Sequence, residues 1–248
     1  MIATPHHPLK MPWSLLQILR ARWLNLSLAF WLGCAALVGV ARTYPELDLA
    51  VSRLFYTPDT GFTLKGSPWE QGLYRSIPIL TLMINLGLIA LWWFNRRTGR
   101  RWLGLDGRRL AFLLALLILV PGLLVNQTLK THWGRARPIN VIAFGGDQPY
   151  TPAFVISVQQ GKSFSSGHVA AAAYLMVVAA TLAGRRSFWF GMALLYTLAV
   201  GAARIVAGGH FLSDVLTSIL LVWMGQGVLR TIFLVDWPDE SPKVSDAN

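Results

Sequence analysis

The sequence predicts an all-α protein, an integral membrane bundle of six transmembrane helices, and three observations support that prediction. Apolar residues form 54% of the 248-residue chain and charged residues only 13%, about half the charged share of a typical soluble domain. Mean hydropathy is correspondingly high, at +0.48. Six apolar segments fall near 23–41, 77–94, 110–129, 168–184, 187–204 and 210–229, each close to the roughly 20 residues that carry a helix across a bilayer core. They are too long and too continuously apolar for barrel strands, and lipid admits only helices or closed barrels.

The elements follow in order. The first strong apolar run begins near Leu24, after Lys10, Arg20 and Arg22, without a convincing small-residue cleavage site, so it reads as an uncleaved signal anchor. Residues 42–76 form a long connection whose stretch from Asp48 to Tyr56 is amphipathic. It suits a helix lying along the interface or one packed within the loop. The second segment ends in a connection, 95–109, that carries Arg96, Arg97, Arg100, Arg101, Arg108 and Arg109. After the third segment comes an irregular, lid-like stretch over 139–165 with Gly145, Gly146, Pro149 and Pro152. Arg185 and Arg186 separate segments four and five, and Arg230 follows segment six. Trp23, Trp92, Trp93 and Trp189 lie at segment margins, where amphipathic rings favour the interface. Residues 1–235 read as one six-helix domain, and 236–248 as a polar cytoplasmic tail.

Placing Arg20 and Arg22 in the cytoplasm puts the six-arginine connection, Arg185, Arg186 and Arg230 there as well, with both termini inside. The net charge of +11 is therefore an orientation signal. No aromatic-interleaved basic stripe of a nucleic-acid binder is present. Cys34 is the sole cysteine, which excludes an intrachain disulfide and a multi-thiolate zinc site.

This topology gathers three polar clusters on the outer face, making an outward-facing active site. They are Lys130 to Pro138, Ser165 to His168, and Arg204 with His210 and Asp214. Ionisable groups at a membrane boundary are costly and signal function. Lys130, Arg137 and Arg204 suit a multiply charged anion. Ser166 and Gly167 open segment four, where exposed N–H groups and the positive helix end form a phosphate cradle. His168 stands at its rim as a candidate general acid. His210 and Asp214 are four residues apart, so a carboxylate–imidazole bond can fix one tautomer and leave the other nitrogen as nucleophile. Arg135 reads as a lipid-headgroup anchor and His132 as an interfacial histidine. No carboxylate-rich or histidine-rich ligand set calls for a metal or other cofactor.

Lys130-x6-Arg137-Pro138, Ser166-Gly167-His168 and Arg204-x5-His210-x3-Asp214 resemble the three-part signature of the type 2 phosphatidic acid phosphatase family. The resemblance implies that His210 attacks phosphorus to form a phosphohistidine, assisted by Asp214. His168 then protonates the leaving group, and Lys130, Arg137, Ser166, Gly167 and Arg204 hold the phosphoryl oxygens. It also implies a metal-independent lipid phosphatase. Ser165 stands where the family commonly has proline, and Ala203 where it often has serine. Trp133 to Pro138, Phe144-Gly-Gly146 and Thr151 to Phe154 are similar to bacterial lipid A phosphatases, implying a periplasmic site on the inner membrane and a phosphorylated membrane lipid as partner. Undecaprenyl pyrophosphate and phosphatidylglycerophosphate are the alternative substrates within the family. A lipid phosphotransferase is the neighbouring activity, and an anion transporter the non-enzymatic reading. Oligomeric state is not legible.

Overall fold

The structure is a computed structural model that describes residues 22–234. Arg20 and the residues before it, and the tail expected over 236–248, lie outside the described residues. The protein is mostly helical. The helices are α1 (Leu28–Thr43), α2 (Glu46–Arg53), α3 (Pro68–Thr98), α4 (Gly107–His132), α5 (Gly167–Leu182), α6 (Phe188–Val206) and α7 (Leu212–Phe233). Two short hairpins, at 22–27 and 56–62, are the only paired strands among the described residues.

Each predicted segment overlaps a helix, yet the number of candidate spans is four to five. Helices α3, α4, α6 and α7 are long and apolar enough to cross a membrane alone. A fifth crossing requires α1 and α2 to act together across a bend of 84°. That bend follows from Tyr44-Pro45, since a residue before proline is pushed out of the helical region, and Tyr44 has φ −125 and ψ 62. Helix α5 has 16 residues, about 24 Å at 1.5 Å per residue, short of the roughly 30 Å core.

Helix α3 begins at Pro68, well before the expected 77, and ends at Gly99 with φ +69. Its first turns carry Trp69, Glu70, Gln71 and Arg75, which lower hydropathy without disfavouring a helix. Within α4, residues Ile118–Leu129 wind as a π-helix around Pro121. Proline supplies no N–H to the regular ladder, and two side chains span the wider turn. Asn126 Nδ2 donates to Pro121 O at 2.7 Å and Thr128 Oγ1 to Leu123 O at 3.1 Å. Such π segments often mark functional sites.

Helix α5 is the centre of the bundle, packed by α3, α4, α6 and α7. Ala170, Ala172 and Ala173 are buried on it, and small residues let neighbouring backbones approach closely. The outer surface is apolar instead, with Ile79, Leu82, Met83 and Leu86 of α3 and Leu195 and Leu198 of α6 exposed. An aqueous surface would not tolerate so continuous an apolar face.

Candidate active site

The start of α3, the end of α4, the start of α5 and the turn from α6 to α7 meet at one end of the bundle. Contacts between them fix the junction. Ile139 N donates to Gly208 O at 3.0 Å, and Arg204 Nη1 reaches Glu70 Oε1 at 3.1 Å. Gly208 has φ +65, and a Cβ there would lie 2.5 Å from the Phe62 ring, so the turn needs glycine. The connection over 139–165, expected to be lid-like, is pinned to the residues that follow α4. Ser163 N donates to Arg135 O, Gly161 N to Gly134 O, and Trp133 stacks on Phe164 at 4.4 Å.

All eight predicted site residues converge at this end. The π-helical stretch delivers Lys130 and Asn126 to the first turn of α5. A Cβ on Gly167 would sit 2.2 Å from Asn126 Oδ1 and 3.0 Å from Lys130 Nζ. Ser166 holds the N-cap position of α5, but its hydroxyl makes no capping bond. Among the described residues, Ser165 Oγ, Ser166 Oγ, Arg137 Nε and Arg204 Nε are all buried without a hydrogen-bond partner. Unpaired buried donors are rare and costly, and Arg137 and Arg204, which wall one cavity, suit an oxyanion there. Lys130 lies in the field of Arg137, Arg204 and Lys162, and His168 in that of Arg204, Lys130, His210 and Arg137.

His210 is 2% exposed. Its Nδ1 lies 2.7 Å from Ser163 O. A carbonyl only accepts, so Nδ1 carries the proton and Nε2 keeps the lone pair. Burial, reinforced by Arg204 and Lys130 and opposed by Asp214, lowers the His210 pKa to about 4. The imidazole is thus neutral at neutral pH.

The expected direct bond between Asp214 and His210 is absent. Asp214 Oδ2 is 3.8 Å from Nδ1, beyond hydrogen-bond range. Ser163 stands between the two, its Oγ donating to Asp214 Oδ2 while its carbonyl accepts from His210. The remaining capacity of Asp214 is taken by Phe211 N and Arg135.

Arg135 also departs from its expected place, since it is wholly buried and anchors no headgroup. Its fork bonds Asp214 and Ser213 through Nη1, Asp48 through Nη2 and Thr151 O through Nε. The guanidinium also lies 4.4 Å from the Phe211 ring centre. Burial alone would lower the Arg135 pKa, but Asp214 and Asp48 outweigh it and raise it above the ordinary arginine value. The amphipathic stretch of the sequence is therefore a packed helix, α2, with Asp48 turned inward. His132 stays exposed, bonded to Thr128 O.

Sequence reasoning missed Asp48, Glu70, Tyr74, Asn126 and Ser163 as neighbours of the site. Two cavities adjoin it. One of about 230 Å³ is walled by Lys65, Glu70, Tyr74, Arg137 and Arg204. The other is a largely apolar groove of about 840 Å³ between α3 and α4, running from Asn85 and Leu117 to Lys130, Gly167 and His168. Among the described residues, no group of three or more His, Cys, Asp or Glu is placed to hold a metal ion.

Residues 108–235 match the PAP2 superfamily. Three curated relatives are each named lipid A 4'-phosphatase. The protein from Francisella tularensis subsp. novicida is 36% identical over 199 residues, covering 76% of this chain and 87% of its own length. That from Rhizobium leguminosarum is 28% identical, covering 84% and 94%. The Rhizobium etli protein is 29% identical, covering 76% and 79%. No solved structure matches the chain.

Proposed function

The chain belongs to the PAP2 superfamily, and on that premise we propose that it removes the 4'-phosphate of lipid A at the periplasmic face of a bacterial inner membrane. The relatives' shared name supports the substrate. The observation that carries the reaction is the pair of buried guanidinium donors, Arg137 Nε and Arg204 Nε, unpartnered among the described residues and walling one cavity, at the same end of the bundle as an imidazole whose proton is on Nδ1.

In this reading His210 Nε2 attacks phosphorus in line with the leaving sugar oxygen. The P–O bond breaks as the N–P bond forms, and His168, in its protonated form, gives its proton to that oxygen. Water then attacks the phosphohistidine, His168 takes a proton from it, and phosphate departs with the N–P bond electrons returned to His210. Lys130, Arg137, Arg204, the Ser166 hydroxyl and the Gly167 amide hold the equatorial oxygens, where charge grows in the transition state. Asp214 and Ser163 orient His210. No metal or cofactor enters this scheme. The apolar groove beside His168 suits acyl chains, which supports a phosphate held at headgroup depth.

All six apolar helices serve as spans in this proposal, within one domain over 1–235 and with a cytoplasmic tail over 236–248. The arginines at the ends of α3 and α4 remote from the site support cytoplasmic termini.

The test is phosphate release by the purified protein from lipid A, phosphatidylglycerophosphate, undecaprenyl pyrophosphate and phosphatidic acid, with a chelator present. Fastest release from lipid A, unaffected by chelator, is expected. Preference for another lipid would replace the substrate assignment, and loss with chelator would overturn the metal-free mechanism. The pH dependence is a separate prediction. A nucleophile with its pKa lowered to about 4 stays neutral above that value, so protonation should not remove activity between pH 7 and about pH 5. After correction for ester ionisation near pH 6, the acid limb of kcat/KM should fall near pH 4. A corrected limb near the unperturbed histidine value of about 6.5 would contradict the buried, neutral His210.

A further inference from the structure

Tyr74 lies in the outer turns of α3, outside the residues that match the superfamily. It follows Glu70 by four residues, so the two side chains share a helix face. Glu70 holds Arg204 through a 3.1 Å bond. Gly66 N and Gln71 Nε2 fix the other Glu70 oxygen. The Tyr74 ring centre lies 5.0 Å from the Arg204 guanidinium carbon. The same ring stacks on the His168 imidazole, with centroids 4.2 Å apart and planes at 23°. Tyr74 also lines both the polar cavity and the apolar groove. At 41% exposed it is no core filler.

An imidazole at a helix start is free to turn about its side-chain bonds unless packing limits it. Among the described residues no hydrogen bond limits the His168 ring, whereas a flat aromatic face lies against it. From this geometry we infer that Tyr74 is a positioning residue for His168, holding the imidazole towards the leaving oxygen where the polar cavity meets the groove. The ring face performs this task, not the hydroxyl. The inference rests on the reading of His168 as the general acid.

Leaving-group dependence separates positioning of an acid from general damage. A sugar alkoxide needs a proton to depart, whereas p-nitrophenolate does not. The full-length protein in detergent is assayed with lipid A and with p-nitrophenyl phosphate. Tyr74→Leu should lower kcat/KM on lipid A, which reports phosphoryl transfer to His210 and not the later attack of water, by at least about tenfold, part of the roughly 10² to 10⁴ that general acid catalysis supplies. Its kcat/KM on p-nitrophenyl phosphate should change by less than about threefold, a difference within roughly 0.7 kcal/mol. Tyr74→Phe should match the parent on both substrates, and His168→Ala should lose far more kcat/KM on lipid A than on p-nitrophenyl phosphate. Equal loss on both substrates, or no loss, for Tyr74→Leu would overturn the inference while leaving the acid role intact if His168→Ala still discriminates. If His168→Ala does not discriminate, the acid reading fails and the inference with it. Should Tyr74→Leu not fold, as judged by thermal melting, Tyr74→Met is scored by the same criterion.

Discussion

His210→Ala is expected to abolish phosphate release from lipid A, with a fall in kcat of about 10⁴ or more, the scale seen when a nucleophile is removed from a catalytic unit. The side chain supplies the attacking lone pair, and no neighbour can replace it. His168 is committed to the leaving oxygen in the proposed scheme, and the other close groups, Arg204 and Lys130, are the cations that hold the anion. The variant should still bind phosphate, because Arg137, Arg204, Lys130 and the α5 start are untouched. Phosphate protection against thermal unfolding should therefore persist while turnover disappears. Labelled phosphate should be trapped on the parent protein in an acid-labile bond and be missing from the variant. Retention of more than about a tenth of the turnover would reject His210 as nucleophile. Intact function in transport of an anion, with no turnover in the parent, would favour the non-enzymatic reading.

The same residues show why part of this site was legible in the sequence. Lys130, Arg137, His168, Arg204 and His210 sit at the margins of apolar segments, where a polar group is costly unless it has a task. One assumption about arginines and membrane sides was enough to bring them together. The supporting residues carry no such signal. Ser163 acts through a backbone carbonyl and a hydroxyl at once, and no spacing rule reveals that. The four-residue interval between His210 and Asp214 predicted adjacency correctly, but adjacency is not a hydrogen bond, and Ser163 took the place between them. Glu70 and Asp48 were within reach. The chain has only eleven acids against 22 lysines and arginines, and a buried cation cluster must find counter-charge somewhere.

Span boundaries failed for a related physical reason. Hydropathy reports contact with lipid, whereas helicity persists into polar turns that leave it. The outer turns of α3 are helical and polar, so Glu70 and Tyr74 appeared to belong to a loop. Helix α5 has the converse property. It is apolar throughout, but its surroundings are protein on nearly every side. Its apolar length measures packing as much as membrane thickness.

Arg135→Met is expected to destabilise the protein more than any change at the phosphate-binding cations. The substitution keeps the volume of the stem and removes a charge shared by two carboxylates, Asp48 and Asp214, both buried. Breaking a buried ion pair from one side costs about 3–5 kcal/mol, because the partner is left as an uncompensated charge. Here two partners are left. Lysine should rescue only in part, since a compact ammonium cannot reproduce a fork that bonds Asp48, Asp214, Ser213 and Thr151 together. The expected order of melting temperatures in detergent is parent, then Arg135→Lys, then Arg135→Met. Adding Asp48→Asn to Arg135→Met should restore part of the loss, because it removes one of the two stranded charges. Turnover should stay low in that double variant, since Asp214 remains without its guanidinium and the Ser163–His210 contact depends on where that carboxylate is held. Melting of Arg135→Met within about 2 °C of the parent would mean that the arginine is no keystone. Full activity in the double variant would uncouple it from His210.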